Sequence, residues 1–190
     1  VEASLTFISG SDDLKDWVQW NQSKGGVGQE MKKMVFVLLF SLYVFYGFPV
    51  KAEIEIIFSP EESIKANILK EVESATFSLD LAIHEITSVD MAQALLKAKQ
   101  RGVKIRIVTD SKQAKTKTSK INYLIHQGIP VKVLGGKERG LMNHRFAILD
   151  GKKVITGSFD WSEVSEKWNY ENLLILSESD GVGAYHKEFE

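Results

Sequence analysis

A run near the end of the chain, MNHRFAILDGKKVITGSFDWS, combines basic, acidic, amide and hydroxyl side chains at close spacing. Asn143, Arg145 and Asp150 stand in its first half, and Ser158 and Asp160 in its second half. A guanidinium group can hold a phosphate bidentately, and a hydroxyl can donate to its anionic oxygens. The run therefore has the make-up of a phosphate site.

The same run resembles the active-site motif of the phospholipase D superfamily, specifically of its small bacterial nuclease branch with one motif per chain. The family motif is His-x-Lys, four residues and Asp, followed by Gly-Ser-x-Asn and a later Glu. Aligned on FAILD, Asn143 stands at the His position, Arg145 at the Lys position and Asp150 at the Asp position. The later motif positions fall on Gly157, Ser158, Asp160 in place of Asn, and Glu171.

The resemblance implies a phosphodiesterase that acts through a phosphohistidine, which water resolves with the help of a second histidine. Two histidines require two motifs, and this chain shows no internal repeat, so the resemblance implies a homodimer. It implies no cofactor. No metal site is expected either, because the chain has no cysteine and its four histidines lack metal-binding spacing.

Three motif positions differ from the family, and each difference affects the chemistry. The amide nitrogen of Asn143 has no usable lone pair, so it cannot be the nucleophile. Arg145 keeps the positive charge but is bulkier than Lys. A carboxylate at Asp160 either repels phosphate or pairs with Arg145. The sequence therefore predicts a phosphodiesterase that is inactive or severely impaired, with a non-catalytic module that binds nucleic acid or another polyanion as the alternative.

Two histidines lie near the motif without belonging to it. Successive side chains of a strand point to opposite faces, so His144 is expected to face away from Arg145 and to have a structural or interface role. His84 ends a predicted strand, where a packed or solvated histidine is the main expectation and a ligand contact the lesser one.

Short apolar stretches alternate with helical patterns from residue 53 onward, which predicts an α/β fold. Strands joined by crossover helices predict a mixed, mainly parallel sheet with helices on both faces, as in a phospholipase D-like half-site fold. The first helix is expected to begin with Ser59 as its N-cap and Pro60 as its first residue. The other expected elements are strands at 53–58, 76–84, 103–110, 130–135, 145–150, 153–158 and 171–177 and helices at 88–102 and 122–128.

Basic residues are concentrated in the middle of the chain, where residues 97–153 hold 15 bases and 3 acids, a net charge of +12. Lysines and arginines of a helix end (KAKQRG), a strand (VKIRIV) and a loop (SKQAKTKTSK) are expected to form one continuous band leading to the motif. The alternative is a solvated surface. Lys115, Lys117 and Lys120 are the predicted substrate-binding residues. Nucleic acid, DNA or RNA, is favoured over lipid, because the short chain leaves little sequence for elements that a bilayer substrate requires.

The first 52 residues are interpreted as two segments that precede the domain at 53–190. Residues 1–30 are expected to be non-domain sequence, and residues 31–52 carry two lysines, an apolar run over 34–48 and small residues before a cleavage point. This pattern predicts a signal peptide and export to a bacterial periplasm or secretion. The alternative is a membrane anchor, with membrane contact only if the segment 34–48 is retained.

Overall fold

A computed structural model describes residues 54–177 and 179–190, together with a few helical positions upstream. The chain divides into two compact units, Val1–Val50 and Lys51–Glu190. The segments assigned to residues 1–30 and 31–52 thus lie almost wholly outside the described residues, and their roles stay predictions. No helix of the described ranges combines the length and the hydropathy that crossing a membrane requires.

Seven strands form one sheet in the order β1-β7-β6-β5-β2-β3-β4. The strands are β1 (Ile54–Phe58), β2 (Ser78–Ile83), β3 (Lys104–Asp110), β4 (Val131–Leu134), β5 (Arg145–Leu149), β6 (Lys153–Gly157) and β7 (Asn172–Leu176). The α-helices are α1 (Ile64–Ser74), α2 (Val89–Gln100), α3 (Ile121–His126), α4 (Glu163–Lys167) and α5 (Ser179–Phe189), with a 3-10 turn at Gln113–Lys115.

The mixed α/β sheet confirms the predicted fold class, but its strand directions differ from the expected majority. Only β2–β3 and β3–β4 are parallel pairs, whereas β5, β6, β7 and β1 pair antiparallel with their neighbours. Parallel pairing needs a crossover connection. The second half of the chain instead turns back in a hairpin at Gly151, so antiparallel pairs predominate.

Helices cover both faces of the sheet, as predicted. Ala147 and Leu149 of β5 belong to the larger core, which also contains buried side chains of α1 and α2. Phe146 and Ile148 of the same strand belong to a smaller core against Val182 of α5. The alternation of β5 between two cores fixes the face on which each motif side chain lies.

The first helix begins later than predicted. Ser63, not Ser59, is its N-cap, because the Ser63 hydroxyl accepts a hydrogen bond from the backbone N–H of Ala66. Ser59 instead donates its backbone N–H to the carbonyl of Glu171 at 3.0 Å. This bond joins the end of β1 to the start of β7 and leaves residues 59–62 as a turn.

The strand directions bring the motif to one edge of the sheet, which we call the motif edge. β5 and β7 begin at this edge, and the other five strands end there. Neighbouring strands lie about 4.8 Å apart, so the motif edge is about 29 Å long from β1 to β4.

Candidate phosphodiester site

Arg145 is in direct contact with both other positions that differ from the family motif. Arg145 Nη2 donates to Asp160 Oδ2 at 2.8 Å, and Arg145 Nε lies 2.8 Å from Asp160 Oδ1. Arg145 Nη1 donates to Asn143 Oδ1 at 3.0 Å. The differences therefore form one cluster rather than three independent changes.

This cluster neutralises the cation of the motif. The side chains of Arg145 and Asp160 are only 22% and 14% exposed, so water screens their attraction weakly. A carboxylate at Asp160 was expected either to repel phosphate or to pair with Arg145, and the structure confirms the pairing. A phosphate that approaches Arg145 must compete with a carboxylate already in place.

Ser158 and Glu171 form the second half of the site. The Ser158 hydroxyl donates a short hydrogen bond to Glu171 Oε2 and accepts one from the backbone N–H of Asn172 at 3.0 Å. The other carboxylate oxygen of buried Glu171 accepts from Asn169 Nδ2 at 2.9 Å. A Cβ at Gly157 would collide with the Asn172 carbonyl, so only glycine fits before Ser158.

Asp150 does not lie with the other motif residues. It follows the last residue of β5, at the edge of the sheet opposite the motif edge. Its carboxylate accepts hydrogen bonds from the backbone N–H groups of Thr76, Phe77 and Ser78 at 2.7–3.2 Å. Burial opposes ionisation, but these bonds prevail and lower the pKa of Asp150 to about 2. In this geometry Asp150 ties the start of β2 to the turn after β5.

Replacing Asp150 by Asn is expected to lower the free energy of unfolding at pH 7 by about 1–3 kcal/mol, because an amide replaces the charged acceptor of several N–H groups. Asn tolerates the positive φ of 53° at this position. Because the folded pKa is depressed from 3.8, the unmodified chain loses about 1–2 kcal/mol as pH falls from 4 to 2, after allowance for solvent screening. Urea titrations should show this loss in the unmodified chain and a smaller one in the variant. Identical pH dependence of the two proteins would contradict the assignment.

The two nearby histidines are placed away from Arg145. His144 Nε2 lies 3.2 Å from Glu188 Oε1 of α5, and its ring packs edge-on against Phe146, which confirms the expected outward direction. His84 is buried, and its Nδ1 lies 3.1 Å from the carbonyl oxygen of Met142. His84 therefore helps to hold the chain that enters the motif.

Asp110 is a positioning residue that the sequence pattern did not indicate. It is fully buried, and its carboxylate accepts from the N–H groups of Lys112, Gln113 and Met142 at 2.8–3.1 Å. Burial raises the pKa of Asp110, but the three backbone bonds and His84 outweigh it and leave the pKa below its usual value. One carboxylate thus joins the basic loop to the residue before Asn143. The only sequence signal for this role was an acidic residue at the end of a predicted strand.

The predicted substrate-binding lysines lie on the loop after β3. Lys115 and Lys117 are exposed and Lys120 is half-buried, and none of the three has an ion-pair partner within the described part of the chain. The backbone of Lys120 donates to the carbonyl of Ile86 at 2.8 Å, and Ile86 forms a bridge with Trp161, next to Asp160. The Lys120 end of the loop is therefore connected, through Ile86, to the segment that carries Asp160.

The predicted continuous basic band is wrong, because its helix and strand parts lie elsewhere. α2 runs away from the motif edge, so its basic end lies at the opposite edge. There Arg101 donates to carbonyls at the C-terminal end of α1, and Lys99 donates to those just after α3. Arg106 of β3 pairs with Asp80 and Glu190. These cations stabilise the fold, and of the three parts only the loop remains near the motif.

A second basic loop, between β4 and β5, was not singled out from the sequence. Lys137 and Arg139 are exposed on it, and the ammonium group of Lys112 lies 3.4 Å from the Arg139 carbonyl. Gly136 lets this loop close on itself, because a Cβ there would collide with the backbone at Gly140 and Leu141. The cations of both loops lie at the β3–β4 end of the motif edge.

Most of the chain matches a known protein family. Residues 68–190 match the family model described as "Cardiolipin synthase, PLD-like domain". The mitochondrial cardiolipin hydrolase of Homo sapiens is 35% identical over 129 residues, which are 68% of this chain and 50% of that protein. That of Xenopus laevis is also 35% identical, over 68% of this chain and 60% of that protein. The chain thus spans about half the length of these curated relatives, or slightly more.

Two solved structures share the fold. The phospholipase D family member Nuc from Salmonella typhimurium has a TM-score of 0.67 and 25% identity, covering 73% of this chain and 92% of that chain. NucT from Helicobacter pylori has a TM-score of 0.64 and 29% identity, covering 73% of this chain and 96% of that chain. Both superpose over almost their entire length.

The predicted location is wrong in the light of these relatives. The sequence pattern of residues 31–52 predicted export to a bacterial periplasm or secretion. The curated relatives from Homo sapiens and Chlamydomonas reinhardtii are both named mitochondrial cardiolipin hydrolase, which contradicts this prediction. A basic and apolar N-terminal pattern does not by itself distinguish these destinations, so the prediction had no physical basis for choosing between them.

Proposed function

The chain belongs to the phospholipase D superfamily of phosphodiesterases, and on that premise we propose that it binds single-stranded nucleic acid at the motif edge and is inactive or severely impaired in cleavage. The observation that carries the proposal is the contact of Arg145 with both Asn143 and Asp160. Asn143 replaces the nucleophile of the family motif. Asp160 forms an ion pair with the motif's cation, Arg145.

The loss of the nucleophile affects a chemical step, whereas the pairing of the cation affects binding. A covalent route needs a nitrogen lone pair to attack phosphorus, and the Asn143 amide offers none. Arg145 still carries its charge, but Asp160 holds it at 2.8 Å. Phosphate is therefore expected to bind more strongly along the basic loops than at Arg145 itself.

Nucleic acid is the favoured ligand because the uncompensated charge extends along an edge. The motif lies near the middle of the motif edge, and the two basic loops lie two to three strands away, at β3 and β4. Two strand spacings are about 10 Å, so a ligand that reaches both regions must carry several phosphates in a row. A single-stranded nucleic acid, DNA or RNA, has this repeat.

Cardiolipin is the second candidate ligand, and the names of the curated relatives favour it. It is also a phosphodiester, and exposed lysines attract anionic lipid as well as nucleic acid. Under this candidate the chain acts at a mitochondrial membrane, with membrane contact through the segment 34–48. Binding of the full chain to vesicles with and without cardiolipin, measured beside oligonucleotide binding, separates the two candidates.

We further expect the full chain to form a homodimer, because one chain carries one motif and the family chemistry needs two. A stable dimer buries about 1,200–2,000 Å² in total, which suffices for association at micromolar concentration. Sedimentation equilibrium at tens of micromolar should report twice the chain mass. A monomer throughout this concentration range would contradict the expectation.

The lysine loop provides the test of nucleic-acid binding. Replacing Lys115, Lys117 and Lys120 with Ala should weaken binding of a single-stranded oligonucleotide on the order of tenfold at low salt. It should also flatten the log–log salt dependence, by about 0.7 for each lost phosphate contact. Fluorescence anisotropy at several salt concentrations measures both quantities.

Matched variants make this test specific. Asp160→Asn removes a negative charge from the site and should strengthen binding, whereas Lys99→Ala, at the opposite edge, should leave the affinity unchanged. If the triple lysine variant keeps the affinity and salt slope of the unmodified chain, the loop is only a solvated surface and the nucleic-acid proposal fails.

A further inference from the structure

Two large aromatic side chains stand almost fully in solvent beside the candidate site. Trp168 is 80% exposed and Tyr170 is 88% exposed, the highest values among the large hydrophobic residues that the structure describes. They flank Asn169, which hydrogen-bonds Glu171 of the motif. Solvent-exposed aromatic groups at the rim of a site are a common feature of binding surfaces.

The backbone that carries this aromatic pair is fixed. Asn169 Nδ2 donates to Glu171 Oε1 at 2.9 Å, and the Asn169 carbonyl accepts from Ser59 Oγ at 3.3 Å. The N–H of Trp168 donates to the carbonyl of Val164 in α4 at 3.0 Å. The two rings are therefore presented from a tethered segment, and little backbone freedom is lost when a ligand contacts them.

The charge around the aromatic pair indicates which part of a ligand belongs there. Glu163 and Glu166 lie on the neighbouring helix, and Glu171 follows the pair directly. Glu163 pairs with Lys167 and Glu166 pairs with Lys65, so this helix offers no free cation to a phosphate or an anionic lipid headgroup. An uncharged, flat group such as a nucleobase needs no cation and stacks on aromatic rings.

The order of strands places the aromatic pair at a useful distance from the motif. The pair precedes β7, two strands from β5, and the basic loops follow β3 and β4 on the other side of β5. The pair lies four to five strand spacings from the basic loops, or about 19–24 Å, which a single-stranded nucleic acid of several nucleotides can span. One nucleic-acid strand can thus place phosphates along the basic loops and a base at the aromatic pair.

We propose that Trp168 and Tyr170 form a stacking platform for nucleobases of a single-stranded nucleic acid whose phosphates contact the basic loops. This inference rests on the proposed function, because it assigns the bases of the ligand whose phosphates that function already invokes. It gives the motif edge two ends, a basic end at β3–β4 and an aromatic end at β7.

The test compares two probes of equal length and charge on the full chain, an oligothymidylate and an abasic oligodeoxyribose phosphate, at low salt. Trp168→Ala and Tyr170→Ala should each weaken oligothymidylate binding about fivefold to a hundredfold and leave abasic binding unchanged. Trp168→Phe should retain most of the affinity, since a phenyl ring still stacks. Val164→Ala, at an apolar residue that is 57% exposed on α4, is the matched control and should change neither affinity.

The outcomes separate this inference from the function on which it rests. If the unmodified chain binds neither probe, the nucleic-acid proposal fails and the platform fails with it. If it binds both probes equally and the aromatic variants behave like the unmodified chain, only the platform is overturned. The platform is also overturned if the Ala variants lose affinity equally for both probes, or if sedimentation shows that they change from dimer to monomer. In either case the rings stabilise the fold or contact a second copy of the chain.

Discussion

Restoring the family motif with Asn143→His, Arg145→Lys and Asp160→Asn together should raise metal-independent cleavage of single-stranded DNA on the order of 10³-fold or more. Loss of the nucleophile from an enzyme that acts covalently lowers turnover by roughly 10⁴–10⁶-fold, so its return allows a gain of this size. All three changes are needed, because Arg145 contacts both other positions and a histidine alone would face a paired Arg145. Cleavage of an end-labelled oligonucleotide in chelator measures the gain.

Two controls define what the restored motif must do. Arg145→Lys with Asp160→Asn, without the histidine, should bind DNA more tightly than the unmodified chain yet remain inert. The restored chain should accumulate a phosphorylated histidine when it is quenched during turnover. If the triple variant is folded and inert, the supporting residues or the substrate path have also changed, and the account of an otherwise intact site is wrong.

Replacing Arg145 with Met should lower the free energy of unfolding by about 2–4 kcal/mol. Removing one partner of a buried ion pair leaves the other charge without compensation and costs roughly 3–5 kcal/mol when the pair is fully buried. The partial exposure of Arg145 and Asp160 reduces this expectation. Urea denaturation monitored by circular dichroism gives the difference between the variant and the unmodified chain.

The opposite variant should behave differently. Asp160→Asn leaves a guanidinium that still donates to the side chain and carbonyl of Asn143, so its loss of stability should be about half as large or less. Combining Arg145→Met with Asp160→Asn should recover part of the stability lost by Arg145→Met, since no charge is then unpaired. Additive losses in this cycle would show that the pair contributes no coupling.

The strands of the fold were predictable because their residues alternate or form short apolar runs. The stretch RFAIL predicted β5, and the structure divides its side chains between two cores as the alternation requires. Helix beginnings were less predictable. The predicted N-cap, Ser59, instead bonds to distant Glu171, and Ser63 caps the helix by accepting from Ala66. Local patterns cannot reveal such a long-range partner.

The site was predictable where contacts are close in sequence. A single hairpin separates Asn143 and Arg145 from Asp160. An ion pair between Arg145 and Asp160 was therefore one of the two outcomes expected for the carboxylate. The prediction of a continuous basic band was wrong because a helix carries its last residues to the far edge of the sheet. Lys99 and Arg101 are close in sequence to the basic loop yet serve helix ends at the opposite edge. Charge clustering along a sequence does not establish clustering in space.

We propose that this sequence binds a phosphodiester strand and does not cleave it efficiently. The most direct measurement incubates the full, unmodified chain with an end-labelled single-stranded oligonucleotide in chelator at low salt, and follows complex and product in the same samples. We expect a retained complex in which the oligonucleotide stays intact over hours. Product formation by the unmodified chain at a rate comparable to that of the restored triple variant would contradict it, because Asn143 would then not have removed the chemistry.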